Sequence, residues 1–211
     1  KLAMSLDGRT AMASGESQWI TGEAARQDVQ QWRARSSAIL TGVGTVLADD
    51  PSMTVRLEQT EHQPLRVIID TNLSTPAGAK ILQQPGQTVI MTCSEDEAAR
   101  EELQNAGAEV LAVPPDAHNN VDLAAVLDQL GEMDINELHV ETGATLAGAL
   151  MHAGLVDELI IYMAPTLLGD AARGLFHLPG IETMDDRLPL QIKDIRAVGE
   201  DWRITAGLKK S

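Results

Sequence analysis

Two arginines, and a small-residue run that opens at a glutamate, are the parts of this chain best suited to work on an anionic substrate. Arg33 closes a helix-like stretch. Arg56 follows the run Leu47-Ala48-Asp49-Asp50-Pro51-Ser52-Met53-Thr54-Val55. A guanidinium is a planar fork that matches phosphate with paired hydrogen bonds. An isolated arginine is by default a solvated surface charge, and that reading stays open for both. Glu141 begins the run Glu141-Thr142-Gly143-Ala144-Thr145-Leu146-Ala147-Gly148-Ala149, which follows a strand and opens a helix. The first N–H groups of a helix have no internal acceptors and favour an anion, and small residues let a pyrophosphate approach the backbone. The run is not GxGxxG, and plain strand–helix packing explains it equally well. Gly42-Val43-Gly44-Thr45 follows another strand with the same geometry and the same ambiguity. Two such turns in one sheet protein favour a dinucleotide more than either does alone.

Other polar residues carry weaker signals. Ser17 and Trp19 lie in a small-residue loop after the first strand, which suits ligand entry, although an ordinary surface loop is the commoner explanation. Asp49-Asp50-Pro51 either holds a polar ligand or only makes a turn. The histidines at 62, 118, 139, 152 and 177 show no ligand spacing, HExxH is absent, and Cys93 stands alone, so no metal site is expected. Neither GxSxG nor a P-loop occurs, which removes support for acyl transfer and kinase chemistry.

These residues need a scaffold, and the 211-residue chain is long enough for one α/β domain with a sizeable core. Alternation at Leu2, Met4 and Leu6 marks a strand that Asp7-Gly8 ends. Thr21 is expected to cap a helix over about 23–33, and Ser94 with Glu97 to form a capping box for a helix to about Ala106. Asp122 caps another helix ending near Gly131. Strands are expected at 38–41, 65–70, 88–92, 109–113, 137–141 and 157–163. A closing hairpin, 190–198 with 202–206, turns at Gly199-Glu200. Strands alternating with helices predict a mainly parallel central sheet with helices on both faces and a C-terminal antiparallel hairpin. A ligand would lie across the carboxyl ends of the strands.

The net charge of −15 argues against a nucleic-acid partner. Residues 1–60 hold six Lys/Arg against seven Asp/Glu, whereas 61–211 hold ten against twenty-four. The first stretch is thus relieved of the acidity of the rest, as an anion site requires, while solubility alone explains the C-terminal excess. No apolar run reaches the ~18 residues of a membrane span and no signal-peptide pattern is present. A single cysteine fits a reducing cytoplasm.

Several stretches, in order, resemble the reductase domain of the bifunctional riboflavin-biosynthesis deaminase/reductase proteins. They are Lys1-Leu2-Ala3-Met4-Ser5-Leu6-Asp7-Gly8, Gly15-Glu16-Ser17-Gln18-Trp19-Ile20-Thr21, Thr45-Val46-Leu47-Ala48-Asp49-Asp50-Pro51, Thr54-Val55-Arg56, and Val140-Glu141 with Gly143. Leu155-Val156-Asp157-Glu158 and Ala164-Pro165-Thr166-Leu167-Leu168-Gly169 complete the set. The resemblance implies a dihydrofolate-reductase-like fold. It implies NADPH-dependent reduction of the ribosyl group of 5-amino-6-(5-phosphoribosylamino)uracil to ribityl. It places Ser17, Arg33 and Arg56 on a phosphorylated ribosylaminopyrimidine, with Met53 and Glu141 beside it. Ala3, Trp19, Thr45, Asp49 and Thr71 would line the NADPH site, and the turn Gly143, Ala144, Thr145, Leu146, Ala147, Gly148, Ala149 would take the cofactor pyrophosphate. Thr142, Ala144 and Met53 depart mildly from the residues usual in the family. A zinc deaminase domain precedes the reductase in the family's longer chains, so Lys1 is expected to lie at a domain seam and residues 1–211 to form a single reductase domain.

Hydride transfer to C1′ of an opened ribosylamine needs alignment from the protein and a proton held near the imine nitrogen. Glu141 or Asp49 supplies or stabilises that proton, or each only hydrogen-bonds ligand hydroxyls. Apolar Leu159-Ile160-Ile161 and the C-terminal hairpin are the expected edge of a homodimer. The competing readings are a reductase of another substrate on the same fold and a non-catalytic nucleotide-binding module.

Overall fold

A computed structural model describes residues 1–58, 60 and 62–209. In chain order the elements are β1 (Leu2–Ser5), β2 (Arg9–Ala11), α1 (Glu23–Arg35), β3 (Ala38–Gly42), α2 (Val43–Asp49), β4 (Leu65–Ile69) and β5 (Thr88–Thr92). There follow α3 (Glu97–Asn105), β6 (Glu109–Ala112), α4 (Leu123–Glu132), β7 (Leu138–Val140), α5 (Ala144–His152), β8 (Leu159–Ala164), β9 (Arg173–Gly174), β10 (Leu190–Val198) and β11 (Asp201–Leu208). They cluster into two compact units, one of residues 1–29 with 142–211 and one of residues 30–141.

The second unit holds a five-stranded sheet in the order β6-β5-β4-β3-β7, parallel at every pairing. β3 and β5 are buried at every residue, which is why their sequences read as continuous apolar runs rather than alternating ones. Ile39, Val46, Met53, Ile68, Ile81, Ile90, Leu103 and Val110 form one core cluster against this sheet. Removing each such side chain from water contributes roughly 1.5–3 kcal/mol. A charged group shares this interior. Arg66 on β4 is fully buried and donates to the carbonyls of Gln84, Pro85 and Gly86 and to the Thr88 hydroxyl. It thereby fastens the turn that leads into β5.

The first unit holds the mixed sheet β1-β8-β11-β10. β1 runs parallel to β8, and the β10–β11 hairpin adds antiparallel to it. Its core is Met151, Leu159, Ile161 and Ala206, with Met4, Phe176 and Ile204 packed around them. The parallel pairing and the closing hairpin follow the expected plan. The ladders form three sheets, the third a two-stranded one of β2 and β9, and β7, at the edge of the parallel sheet, pairs with β3.

Local chemistry corrects two cap assignments. Asp96, not Ser94, caps α3, accepting from the N–H groups of Ala98 and Ala99. At α1 the buried carboxylate of Asp201 accepts from the Gly22 N–H at 2.7 Å, and Thr21, among the described residues, contributes its carbonyl to Arg26 rather than a side-chain cap. Asp122 caps α4 as expected.

Candidate functional site

In the second unit the site is built on β7. Side chains two apart on a strand share a face, so His139 and Glu141 point the same way. The Glu141 N–H donates to the Leu40 carbonyl at 2.9 Å, which extends the β3–β7 ladder to the glutamate and fixes its backbone. Arg33, near the end of α1, meets that carboxylate as a bidentate fork. Nε donates to Oε1 at 2.5 Å and Nη2 to Oε2 at 3.0 Å, while Nη1 donates to the Thr54 carbonyl at 2.8 Å. The two side chains are 12% and 14% exposed. Burial works against the charge on Arg33, but the Glu141 carboxylate outweighs it and raises the guanidinium above its ordinary value. These bonds leave N–H groups of the fork available for an anion.

The segment carrying Met53 and Arg56 is tied to the same cluster. Thr54 receives Arg33, Val55 exchanges two hydrogen bonds with the Gln63 amide, and the Arg56 N–H donates to Gln30 Oε1. The Arg56 side chain remains exposed. Met53 is 4% exposed and belongs to the core. Its backbone has φ of 51°, which redirects the chain toward Thr54. Thr45 lies half-buried on α2, and Asp49 is exposed at the end of that helix, with no side-chain hydrogen bond among the described residues. Its neighbour Asp50 is structural, accepting from the Lys80 N–H and facing the Lys80 ammonium. Thr71 is half-buried, and its carbonyl accepts from the Thr92 hydroxyl.

In the first unit Ala3 sits half-buried in β1 opposite Tyr162. Ser17 is half-buried, with no side-chain hydrogen bond among the described residues. Trp19 is 69% exposed, with the Arg26 guanidinium 4.8 Å from the ring centre. α5 starts at Ala144 with Gly143 as its N-cap and no side-chain cap. The N–H groups without helical acceptors lie at the beginning of the Gly143–Ala149 run. The Ala147 N–H already donates to the Gly143 carbonyl, and the N–H groups of Gly148 and Ala149 lie within the helix. Gly148 faces the backbone of His177, where a Cβ would stand 1.9 Å from the carbonyl oxygen. Ala147 and Gly148 are buried, so any part that Ala147, Gly148 and Ala149 take in holding a phosphate runs through close packing rather than free backbone donors.

Sequence reasoning passed over two polar residues. His139 is 6% exposed, with Nε2 3.2 Å from Glu141 Oε1. Burial is the main influence and lowers its pKa, against the bond to Glu141, so the ring is neutral near pH 7. Its i,i+2 relation to Glu141 on a strand was the available signal. Asp7 accepts from the Ser5 hydroxyl and from the N–H groups of Leu168 and Gly169. No spacing in the sequence announces that loop clasp.

The family model described as the RibD C-terminal domain matches residues 1–204. The riboflavin biosynthesis protein RibD of Escherichia coli strain K12 is 49% identical over 213 residues, covering 95% of this chain and 57% of that protein. The 5-amino-6-(5-phosphoribosylamino)uracil reductase of Buchnera aphidicola subsp. Acyrthosiphon pisum is 32% identical, covering 94% of this chain and 100% of that protein. The chain thus spans about half the length of the RibD relatives it matches. Among solved structures, Acinetobacter baumannii RibD superposes with a TM-score of 0.87 at 42% identity, covering 99% of this chain and 57% of that one. Dihydrofolate reductase from Enterococcus faecalis superposes with a TM-score of 0.50 at 12% identity, covering 99% and 94% of the two chains, and the fold is dihydrofolate-reductase-like. The family match over residues 1–204, together with the 49% identity, fixes one conclusion: the chain belongs to the RibD C-terminal domain family.

Proposed function

We propose that this chain reduces the ribosyl group of 5-amino-6-(5-phosphoribosylamino)uracil to ribityl, using NADPH. The observation that carries this reading is the Buchnera reductase, which the chain matches along 100% of its length. In this reading residues 1–211 act as one reductase domain, and a deaminase domain accompanies it in a longer parent chain.

The residues fit the roles. Arg33 and Arg56 supply guanidinium donors to the substrate phosphate, with Ser17 as a hydroxyl donor. Phosphate binding then positions the distant reacting carbon. Both Glu141 oxygens are engaged by Arg33, so Glu141 orients the fork. Asp49, exposed and without a side-chain partner among the described residues, is the carboxylate left to stabilise a proton at the imine nitrogen. Gly143 to Leu146 fit a cofactor pyrophosphate, because α5 has no side-chain cap whereas α3 and α4 use Asp96 and Asp122. Ala3, Trp19, Thr45 and Thr71 complete the proposed NADPH contacts. NADPH when bound would supply the two-electron reduction.

The test is a fall in NADPH absorbance on adding the phosphorylated ribosylaminouracil. No oxidation by folded protein sinks the reading in favour of a nucleotide-binding module. Equal rates with and without the phosphate point to another substrate on the same fold. Asp49→Asn should lower kcat, whereas Glu141→Gln should mainly raise KM.

A homodimer is part of the proposal. Leu159-Ile160-Ile161, expected at the dimer edge, is instead buried on β8 between β1 and β11, whereas Leu190, Ile192, Ile195 and Trp202 are exposed apolar residues on the edge hairpin. Ile192 faces Ala206 and Ile195 faces Ile204, because the register shifts between Ile192 and Asp194. That irregularity puts Ile192 and Ile195 on one face, a contiguous apolar strip on an edge strand. Paired with a second copy so that Ile192 meets Ile195, the strand sets Lys193 opposite Asp194. Ile192→Lys with Ile195→Lys should turn a dimer into a monomer in sedimentation, and a monomeric wild type ends this part of the reading. A cytoplasmic location is part of the same proposal; no helix among the described residues is long and apolar enough to cross a membrane.

A further inference from the structure

The Arg33–Glu141 fork has a third member that the proposed reaction does not use. His139 is buried on β7, and its Nε2 lies 3.2 Å from Glu141 Oε1. That same oxygen accepts from Arg33 Nε at 2.5 Å. A glutamate carboxylate turns easily about its last torsion. Donors arriving at one oxygen from two different elements, β7 and α1, fix its plane. A fixed carboxylate fixes the guanidinium fork that it grips, because the paired bonds are directional.

We infer that His139 is a positioning residue: acting through Glu141, it holds Arg33 so that the remaining N–H groups of the fork present to a phosphate monoester. The inference rests on the reductase reading for the identity of that phosphate. Its geometric part stands on the cluster alone. The ring acts as a neutral Nε2–H donor, and no proton moves.

The test uses two polar replacements of similar size. In His139→Gln the amide nitrogen reaches about as far as imidazole Nε2. In His139→Asn it stops near the position of Nδ1. The Arg33 Nε–H signal in nitrogen-15 NMR, assigned by its disappearance in Arg33→Lys, should be retained in His139→Gln and lost or exchange-broadened in His139→Asn. KM for the phosphorylated substrate should rise about tenfold in His139→Asn and return toward wild type in His139→Gln. In both variants kcat, and KM for the dephosphorylated substrate, should change little. Identical behaviour of the two variants, in either direction, overturns the inference. So does an equal loss with both substrates, because that is a structural effect. If wild type fails to reduce the substrate, the reductase reading falls, and the NMR comparison still decides whether His139 positions Arg33.

Discussion

Replacing Gly148 by alanine tests whether the small residues of α5 serve packing. The ideal Cβ at Gly148 would stand 1.9 Å from the His177 carbonyl oxygen, 2.7 Å from its carbonyl carbon and 3.2 Å from its nitrogen. All three are backbone atoms, so rotating a side chain brings no relief. The His177 N–H also donates to the Ala144 carbonyl at 3.0 Å, and a shift large enough to admit the methyl breaks that bond. Overpacking costs about 1–3 kcal/mol and the lost bond about 1 kcal/mol. Alanine returns about 1 kcal/mol in helix propensity. The net is a destabilisation of about 2 kcal/mol, or a fall in Tm of roughly 4–8 °C for a domain of this size. Gly131, in α4, is the control, since nothing lies within 4 Å of its Cβ position. Gly131→Ala should therefore stabilise by about 0.5–1 kcal/mol. Thermal and urea unfolding followed by circular dichroism read both. A Gly148→Ala protein as stable as wild type refutes the packing argument.

Further predictions follow from the polar network. Asp201→Ala removes the acceptor for Gly22 at the start of α1 and should cost about 1–2 kcal/mol, read as a lower urea midpoint with an unchanged slope. The Ser5 hydroxyl, then the Leu168 and Gly169 N–H groups, hold the Asp7 carboxyl at a pKa of about 2. Its folded value is depressed, so its contribution is complete above the unfolded carboxylate range and is lost as pH falls from about 4 through 2. Stability measured against pH should flatten across that window in Asp7→Asn; an unchanged slope would mean that the clasp contributes nothing. For Arg33→Gln and Glu141→Gln, each single change strands a largely buried partner and should cost about 3 kcal/mol or more. The double variant should cost less than the two together, and strict additivity in a double-mutant cycle would rule out coupling.

The strands of the parallel sheet were legible because doubly buried strands need uninterrupted apolar sequence, as at 38–42 and 88–92. The hairpin was legible because Gly199 supplies the positive φ of 65° that its turn needs. β2 and β9 escaped notice, being three and two residues long and defined only by each other. Arg33 and Glu141 were legible as candidates by residue type. Their mutual grip was not, since 108 positions separate them.

The amino-acid sequence by itself determined the alternation of strands and helices, the local caps such as Asp122, and an ordered set of motifs running through the chain. Those depend on residues within a few positions of one another. The tertiary structure alone decided that Met53 packs inward, that Gly148 makes room for the His177 backbone, that Asp201 caps a helix 179 positions away, and that His139 and Arg33 share one carboxylate oxygen. Each of these follows from which surfaces the chain buries together, and burial is a property of the folded molecule that no local pattern encodes.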